Sequence, residues 1–191
     1  MMQHYLQTRE ENEGIIVFYR LGDFYEMFFD DAETVSRELE ITLTGKDCGL
    51  EERAPMCGIP YHAADTYIAR LIQKGYKVAI CEQVEDPKKA KGLVQRKVIK
   101  IITPGTTMTE GTLTEDENNF ICSIILRDGK YGIATADIST GQFMVTEVDQ
   151  ASKVLDEITK FEPSEIVTLE GQDLFRSEEH TSELQSPLII S

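Results

Sequence analysis

No run of about 18 apolar residues occurs in this 191-residue chain, so no membrane-spanning helix is expected. The opening stretch, MMQHYLQTREENEG, is polar and charged and lacks the apolar segment of a signal peptide. Four cysteines stand at 48, 57, 81 and 122 with no C-x-x-C pair. Cys48, Cys57 and His62 fit no compact zinc spacing, and scattered cysteines in an unsecreted chain read as reduced thiols of a cytoplasmic protein. The phosphate-cradling pattern G-x-x-x-x-G-K-[ST] is missing, so no P-loop is expected. Only His4, His62 and His180 could serve a Ser-His-Asp arrangement, and none is recognisable. No internal repeat is evident. Basic residues are in the minority, 19 against 34 acidic, for a net charge of −15. That total, taken alone, argues against nucleic-acid binding.

The charge is unevenly spread. Residues 1–103 carry 14 basic and 17 acidic side chains, a net of −3, while 104–191 carry 5 and 17, a net of −12. Within the first part, Lys88, Lys89, Lys91, Arg96, Lys97 and Lys100 form a basic run with no acid from Pro87 to Thr103. Such a run reads either as a solvated face or as a set of phosphate contacts.

The hydrophobic pattern gives a mixed α/β organisation. Ile15 to Tyr19 is a short β-rich run, and Leu21-Gly22-Asp23 turns the chain. Phe28, Ala32, Val35 and Leu39 recur at helical spacing, with Asp30 and Asp31 favourable near the helix start, which places Phe24 at a strand-to-helix junction. Residues 44–54 read as a loop. Residues 62–74 read as a helix stopped by Gly75, followed by strands over 78–81 and 94–103. Pro104-Gly105 closes this unit, and 106–118, without apolar period, is the expected linker. Strands over 120–126, 131–138 and 142–148 follow, joined at Asp128-Gly129 and Thr140-Gly141. An amphipathic helix from Ala151 to Phe161 and a strand over 165–169 complete the pattern.

The most informative stretch is Gly22-Asp23-Phe24-Tyr25-Glu26-Met27-Phe28-Phe29. It sets an aromatic ring and a carboxylate two residues apart beside a glycine turn. An apolar wedge next to a hydrogen-bonding group is what probing a DNA base step from the minor groove requires. Taken singly, Phe24 reads as core and Glu26 as an acid complementing a helix dipole. The longer run YRLGDFYEMFFDDA, with APMCGIPYHA, AICEQVEDP and RKVIKIITPGT at matching order and spacing, resembles the MutS family of DNA mismatch repair proteins at its N-terminal end. The resemblance holds from residue 1 to about 175 and covers a minority of the family's chain.

That resemblance implies a mixed-sheet, mismatch-recognising DNA-binding domain at 1–105, a linker at 106–118 and a partial connector domain of ribonuclease H-like fold at 119–175. It implies that Phe24 stacks on a mispaired or unpaired base and that Glu26 hydrogen-bonds it. Asp23, Lys46 and Met56 would touch the minor groove or backbone, and Arg96 and Lys97 would meet phosphates. The expected ligand is mismatched duplex DNA, with no membrane involved. A homodimer partner and MutL are implied for the full-length protein, which would be cytoplasmic, bacterial, and nucleoid-associated when bound to DNA. No cofactor is expected in this stretch; the family's ATP and Mg belong to its ATPase, far downstream, so no enzyme activity is expected here. Residues 176–191, RSEEHTSELQSPLIIS, break the family pattern and read as a non-native tail resembling translated sequencing adapter.

Two other readings compete. The acidic second unit could dock onto a repair partner, making the chain a protein-interaction module. Acids such as Asp137 could belong to a metal-dependent ribonuclease H-like nuclease, although no set of four carboxylates converges on strand starts.

Overall fold

A computed structural model of the chain describes residues 1–49, 52–85, 94–107, 118–169, 172 and 174. The expected tail and most of the expected linker, with Lys88, Lys89 and Lys91, lie outside the described residues. The architecture is mixed α/β, and the chain separates into two compact units, Met1–Thr103 and Pro104–Ser191.

The first unit is built on a six-stranded mixed sheet. Helix α1 (Met2–Glu10) leads into β1 (Ile16–Leu21) and β2 (Phe24–Phe28), then α2 (Phe29–Leu39), β3 (Thr44–Lys46) and β4 (Ala54–Pro60). A 3-10 turn at Tyr61–Ala63 opens α3 (Ala64–Gln73), and β5 (Val78–Gln83) and β6 (Arg96–Ile102) finish the unit. The strand order is β3-β4-β2-β1-β5-β6, with β1 and β5 parallel and the other neighbours antiparallel.

Alternation along each strand divides the core in two. Phe18, Tyr25, Met27, Cys57, Ile59, Val78 and Ile80 face α2 and α3, whose Ala32, Val35, Leu39, Ile68, Leu71 and Ile72 close that side. Val17, Tyr19, Phe28, Ala79 and Cys81 point the other way and meet Tyr5 of α1.

Four expectations for this unit need correction. Phe24 is not at a strand-to-helix junction: it opens β2, and the helix begins only at Phe29. Phe28 therefore does not share the face of Ala32, Val35 and Leu39 but lies in the opposite cluster. The helical spacing of Phe28 is coincidental, because the run FYEMF is rich in β-favouring aromatics and obeys period two. Glu26, for the same reason, lies in a strand and complements no helix dipole. Residues 44–54, read as a loop, contain β3, and its neighbour β4 pairs with both β2 and β3. Helix α1 carries no apolar period and went unforeseen; of its residues only Tyr5 and Thr8 are buried.

The switch from β2 to α2 is abrupt. Phe29 takes φ +53°, which costs a bulky residue energy and persists only when its surroundings fix it. They do so through a buried cluster. The Tyr5 hydroxyl accepts from the Phe28 amide at 3.1 Å and donates to Asp31 Oδ2 at 2.9 Å. Asp31 also accepts from the Val17 amide at 3.1 Å and lies 3.3 Å from the Arg9 guanidinium. Burial pushes the Asp31 carboxyl up, and these donors offset only part of that.

The second unit is a four-stranded sheet of order β10-β7-β8-β9. Strands β7 (Phe120–Arg127), β8 (Lys130–Asp137) and β9 (Gln142–Val148) form an antiparallel meander. Helix α4 (Ala151–Phe161) then carries the chain to β10 (Glu165–Thr168), which runs parallel to β7. Val154 and Ile158 of α4 pack on Cys122, Ile124 and Ile133. Three antiparallel strands, a crossover helix and a parallel fourth strand beside the first match the opening of a ribonuclease H-like sheet. Pro104 and Gly105 pack within this unit: the Gly105 amide donates to Glu165 Oε2 at 3.2 Å, and the Pro104 carbonyl accepts from Asn119 Nδ2 at 2.9 Å.

Asp137 is buried where β8 turns into β9. It accepts from the Ser139 amide at 2.8 Å, the Ser139 hydroxyl at 2.6 Å, the Thr140 amide at 3.3 Å and the Asn119 amide at 3.3 Å. Burial raises this carboxyl's pKa, but the donors outweigh burial and hold it below the ordinary carboxylate value. A group held low in the folded state contributes stability above its unfolded pKa, about 4, and that contribution fades as pH falls. Acidification from about pH 7 to about pH 3 is therefore expected to lower the melting temperature of the second unit, and Asp137→Asn to remove part of that pH dependence, as followed by circular dichroism.

Candidate nucleic-acid interface

The site begins with a two-residue hairpin. Leu21 of β1 pairs with Phe24 of β2, so Gly22 and Asp23 alone make the turn. Gly22 takes φ +60° and Asp23 stays outside the positive-φ region, the pattern of a type II′ turn, which matches the twist of two antiparallel strands. The Asp23 carbonyl accepts from the Tyr61 amide at 3.0 Å, tying the turn to the end of β4. Arg20 Nε donates to the Gly22 carbonyl at 2.6 Å, and its guanidinium lies 3.7 Å from the centre of the Tyr61 ring.

Period two then sorts the strand. Tyr25 and Met27 point into the core, whereas Phe24 and Glu26 point to the other face. Towards Phe28 that face is covered by α1, but towards the turn it opens, and Phe24 is 47% exposed. A bulky ring next to the well-buried Tyr25 is left free because register, not hydrophobicity, decides its side. Glu26 is opposite Tyr19 on one flank and Gly58 on the other. A Cβ at Gly58 would stand 3.6 Å from Glu26 Cγ and 4.0 Å from Phe24 Cδ1. The missing side chain thus leaves space beside both groups.

Lys46 of β3 closes the arrangement. Its ammonium is 2.5 Å from Glu26 Oε2 and 5.5 Å from the centre of the Phe28 ring. The two side chains are 33% and 17% exposed, so the ion pair is partly screened from water. Met56 of β4, half-buried, is opposite Phe28 and also faces Thr44, whose hydroxyl donates to the Met56 carbonyl at 3.2 Å. Phe24, Glu26, Lys46 and Met56 therefore share one sheet face, with Asp23 exposed at the turn.

Arg96 and Lys97 stand apart from this group. Strand β6 lies three places from β2, roughly 14 Å at the usual strand spacing. Lys97 is opposite Glu82, which accepts a short hydrogen bond from the Tyr25 hydroxyl, so Lys97 is exposed on the face away from Phe24. Burial first, then the nearby Glu82, pushes the Tyr25 phenol up to about 12. Arg96 is only 8% exposed and donates inward to two main-chain carbonyls.

Sequence reasoning missed Gly58 and the Arg20–Tyr61 stack. The GIPYH stretch carried the signal for both, but only β2–β4 pairing reveals that Gly58 lies beside Glu26. Among the described residues no three His, Cys, Asp or Glu side chains gather to hold a metal. Cys57 and Cys81 are buried, and burial pushes their thiols up to about 12 and about 11. Asp137 is occupied as a turn cap. No helix among the described residues is long and apolar enough to cross a membrane.

Fold and site together define a mixed α/β protein whose first unit displays an aromatic–carboxylate pair on a short hairpin. Comparison with known proteins gives this class a family. Residues 1–111 match the model for MutS domain I, and residues 119–189 match that for MutS domain II. The chain is 65% identical over 167 residues to a DNA mismatch repair protein MutS of Lachnoclostridium phytofermentans, covering 87% of this chain and 18% of that relative. A protein of the same name from Acetivibrio thermocellus is 62% identical over 170 residues, 87% of this chain and 20% of the relative. One from Clostridium botulinum strain Eklund 17B is 56% identical over 191 residues, all of this chain and 20% of the relative. The chain belongs to the MutS family, and it spans about a fifth of the length of these relatives.

The turn itself can be tested. A Cβ at Gly22 would meet nothing within 4 Å, so Gly22→Ala adds backbone strain without a clash. The expected loss for unit 1 is about 1–2 kcal/mol in urea unfolding.

Proposed function

We propose that the first unit reads mispaired and unpaired bases in duplex DNA and so serves DNA mismatch repair, the role printed in the names of its relatives. The observation that carries this reading is the exposed Phe24 standing beside Glu26 on one sheet face within a MutS domain I match. Phe24 enters the minor groove and stacks on one base of a weakened step. Unstacking costs a few kcal/mol in any duplex, and stacking on an aromatic ring returns about 1–3 kcal/mol. A mispaired step is easier to open, so the balance favours it without reading a particular sequence.

Glu26 supplies the second term. A carboxylate facing a polyanion is repelled by correctly paired DNA, and a hydrogen bond to the displaced base offsets that repulsion only at a lesion. Asp23, Lys46 and Met56 border this pair and contact groove or backbone. Lys46, already paired with Glu26 in the free protein, is placed to trade that carboxylate for a phosphate. Lys97 contributes, if to DNA at all, from another face of the sheet, and the general role of such cations is to set position.

In this reading residues 1–105 form the mismatch-recognising domain, and 119–175 form part of a connector. The chain itself performs no catalysis. ATP, Mg, a second copy of the protein and MutL act through the longer protein, not through the residues described here.

Competition binding of a G·T duplex against a matched duplex at low salt tests the pair. Phe24→Ala is expected to weaken binding to the G·T duplex by about tenfold or more while leaving the melting temperature unchanged, since the ring is half exposed. Retained preference in that variant would remove the wedge from the account. Glu26→Ala is expected to raise affinity for the matched duplex while blunting discrimination. Equal losses on both duplexes would refute its role.

A further inference from the structure

The Arg96 side chain does something the mismatch-reading hypothesis does not use. The parallel ladder between β1 and β5 ends at Tyr19 opposite Cys81. The next carbonyl of β1 on that flank, Arg20, lies beyond the last residue of β5 that pairs with β1. Arg96, across from Gln83 on β6, reaches over this gap. Its Nε donates to the Arg20 carbonyl at 2.8 Å, and Nη1 donates to the Val94 carbonyl at 2.7 Å. The planar fork holds these two donors on separate nitrogens in a fixed geometry, whereas a lysine's donors all sit on one nitrogen at the end of a flexible stem. The guanidinium carbon also lies 5.3 Å from the centre of the Tyr19 ring. Tyr19 is itself fixed, by a 2.9 Å contact between its hydroxyl and His4 Nδ1 and by an edge-on packing with Tyr5 at 5.5 Å. In the β1–β2 register Tyr19 is the residue facing Glu26, and Arg20 is one step from the Leu21–Phe24 pair that opens the turn.

We propose that Arg96 is a positioning residue for the Phe24–Glu26 pair: it replaces the missing ladder donor at the end of β1 and so fixes the hairpin that carries both groups. It does this without touching DNA. Two of its N–H donors are given to main-chain carbonyls, and a side chain 8% exposed presents little of its charge to a ligand. The proposal rests on the mismatch-reading function for its consequence in binding. Its structural half stands without that function.

The test uses the 191-residue chain with Arg96→Met, which keeps the apolar stem and removes the donors, and Arg96→Lys, which keeps the charge and loses the fork. Amide hydrogen exchange at residues 21–25 is measured by NMR, alongside binding to G·T and matched duplexes across a salt series. In Arg96→Met, exchange at the hairpin is expected to speed up by about tenfold, and mismatch preference to fall by a similar factor. The slope of log affinity against log salt is expected to stay at its wild-type value. Arg96→Lys is expected to accelerate hairpin exchange as well, by less. A slope reduced by about 0.9 in Arg96→Met, with hairpin exchange unchanged, would make Arg96 a phosphate contact and overturn the proposal. Unchanged exchange in Arg96→Lys would overturn it too, and that reading decides the matter should Arg96→Met not fold. A wild-type chain with no preference for the G·T duplex would count against the mismatch-reading function, while the exchange data would still decide what Arg96 does.

Discussion

Everything at this site depends on the alternation of five residues in β2. Tyr25 and Met27 are driven into the core by the apolar area they bury, and that anchors the strand. Once they are placed, Phe24 and Glu26 have no choice of side: a one-residue slip would bury the carboxylate and expose Tyr25 and Met27. The exposure of Phe24 is therefore enforced by its neighbours. A ring that would gain by burial is held in solvent because two other side chains gain more.

The rest of the first unit can be understood as support for that strand. At its far end the Tyr5–Asp31 cluster fixes the break into α2, where Phe29 sits in left-handed backbone conformation. On one flank β4 and the 3-10 turn after it supply Gly58 and the Tyr61 amide, giving space beside the pair and a tether to its turn. On the other, β1 is braced by Arg96 beyond the point where β5 stops pairing. On the proposed reading, rigid surroundings matter because Phe24 and Glu26 distinguish duplexes by small differences in the cost of deforming them. A loose hairpin would adapt to paired and mispaired steps alike.

Charge is organised on the same principle. The first unit is close to neutral in balance, and Glu26 is met by Lys46, so the reading face is not dominated by either sign. On the proposed reading, a unit with so little net attraction for DNA leaves the local term from Glu26 to decide between duplexes. In the second unit Asp137, an acid that a nuclease reading would enlist, is committed to three donors of its own turn and the Asn119 amide.

Much of this could be read from the chain. Long periodic segments such as Ala151–Phe161, glycine-marked turns and the meander of the second unit follow from local pattern, because hydrophobic period and turn chemistry act over a few residues. The aromatic–carboxylate spacing beside Gly22 was legible for the same reason. What the chain could not reveal depends on contacts distant in sequence. Phe28 satisfied a helical spacing, yet pairing with Met56 of β4 made it a strand residue. The three-residue β3 exists only by pairing with β4, and of α1 only Tyr5 and Thr8 are buried. From the chain Arg96 reads only as one cation of a basic run; its hydrogen bond to the Arg20 carbonyl, 76 residues back, exists only in the fold. The sequence by itself determined which residues could wedge and which could hydrogen-bond. The tertiary structure decided which of them face outward together, because facing is set by strand register, and register is set by partners the local sequence does not contain.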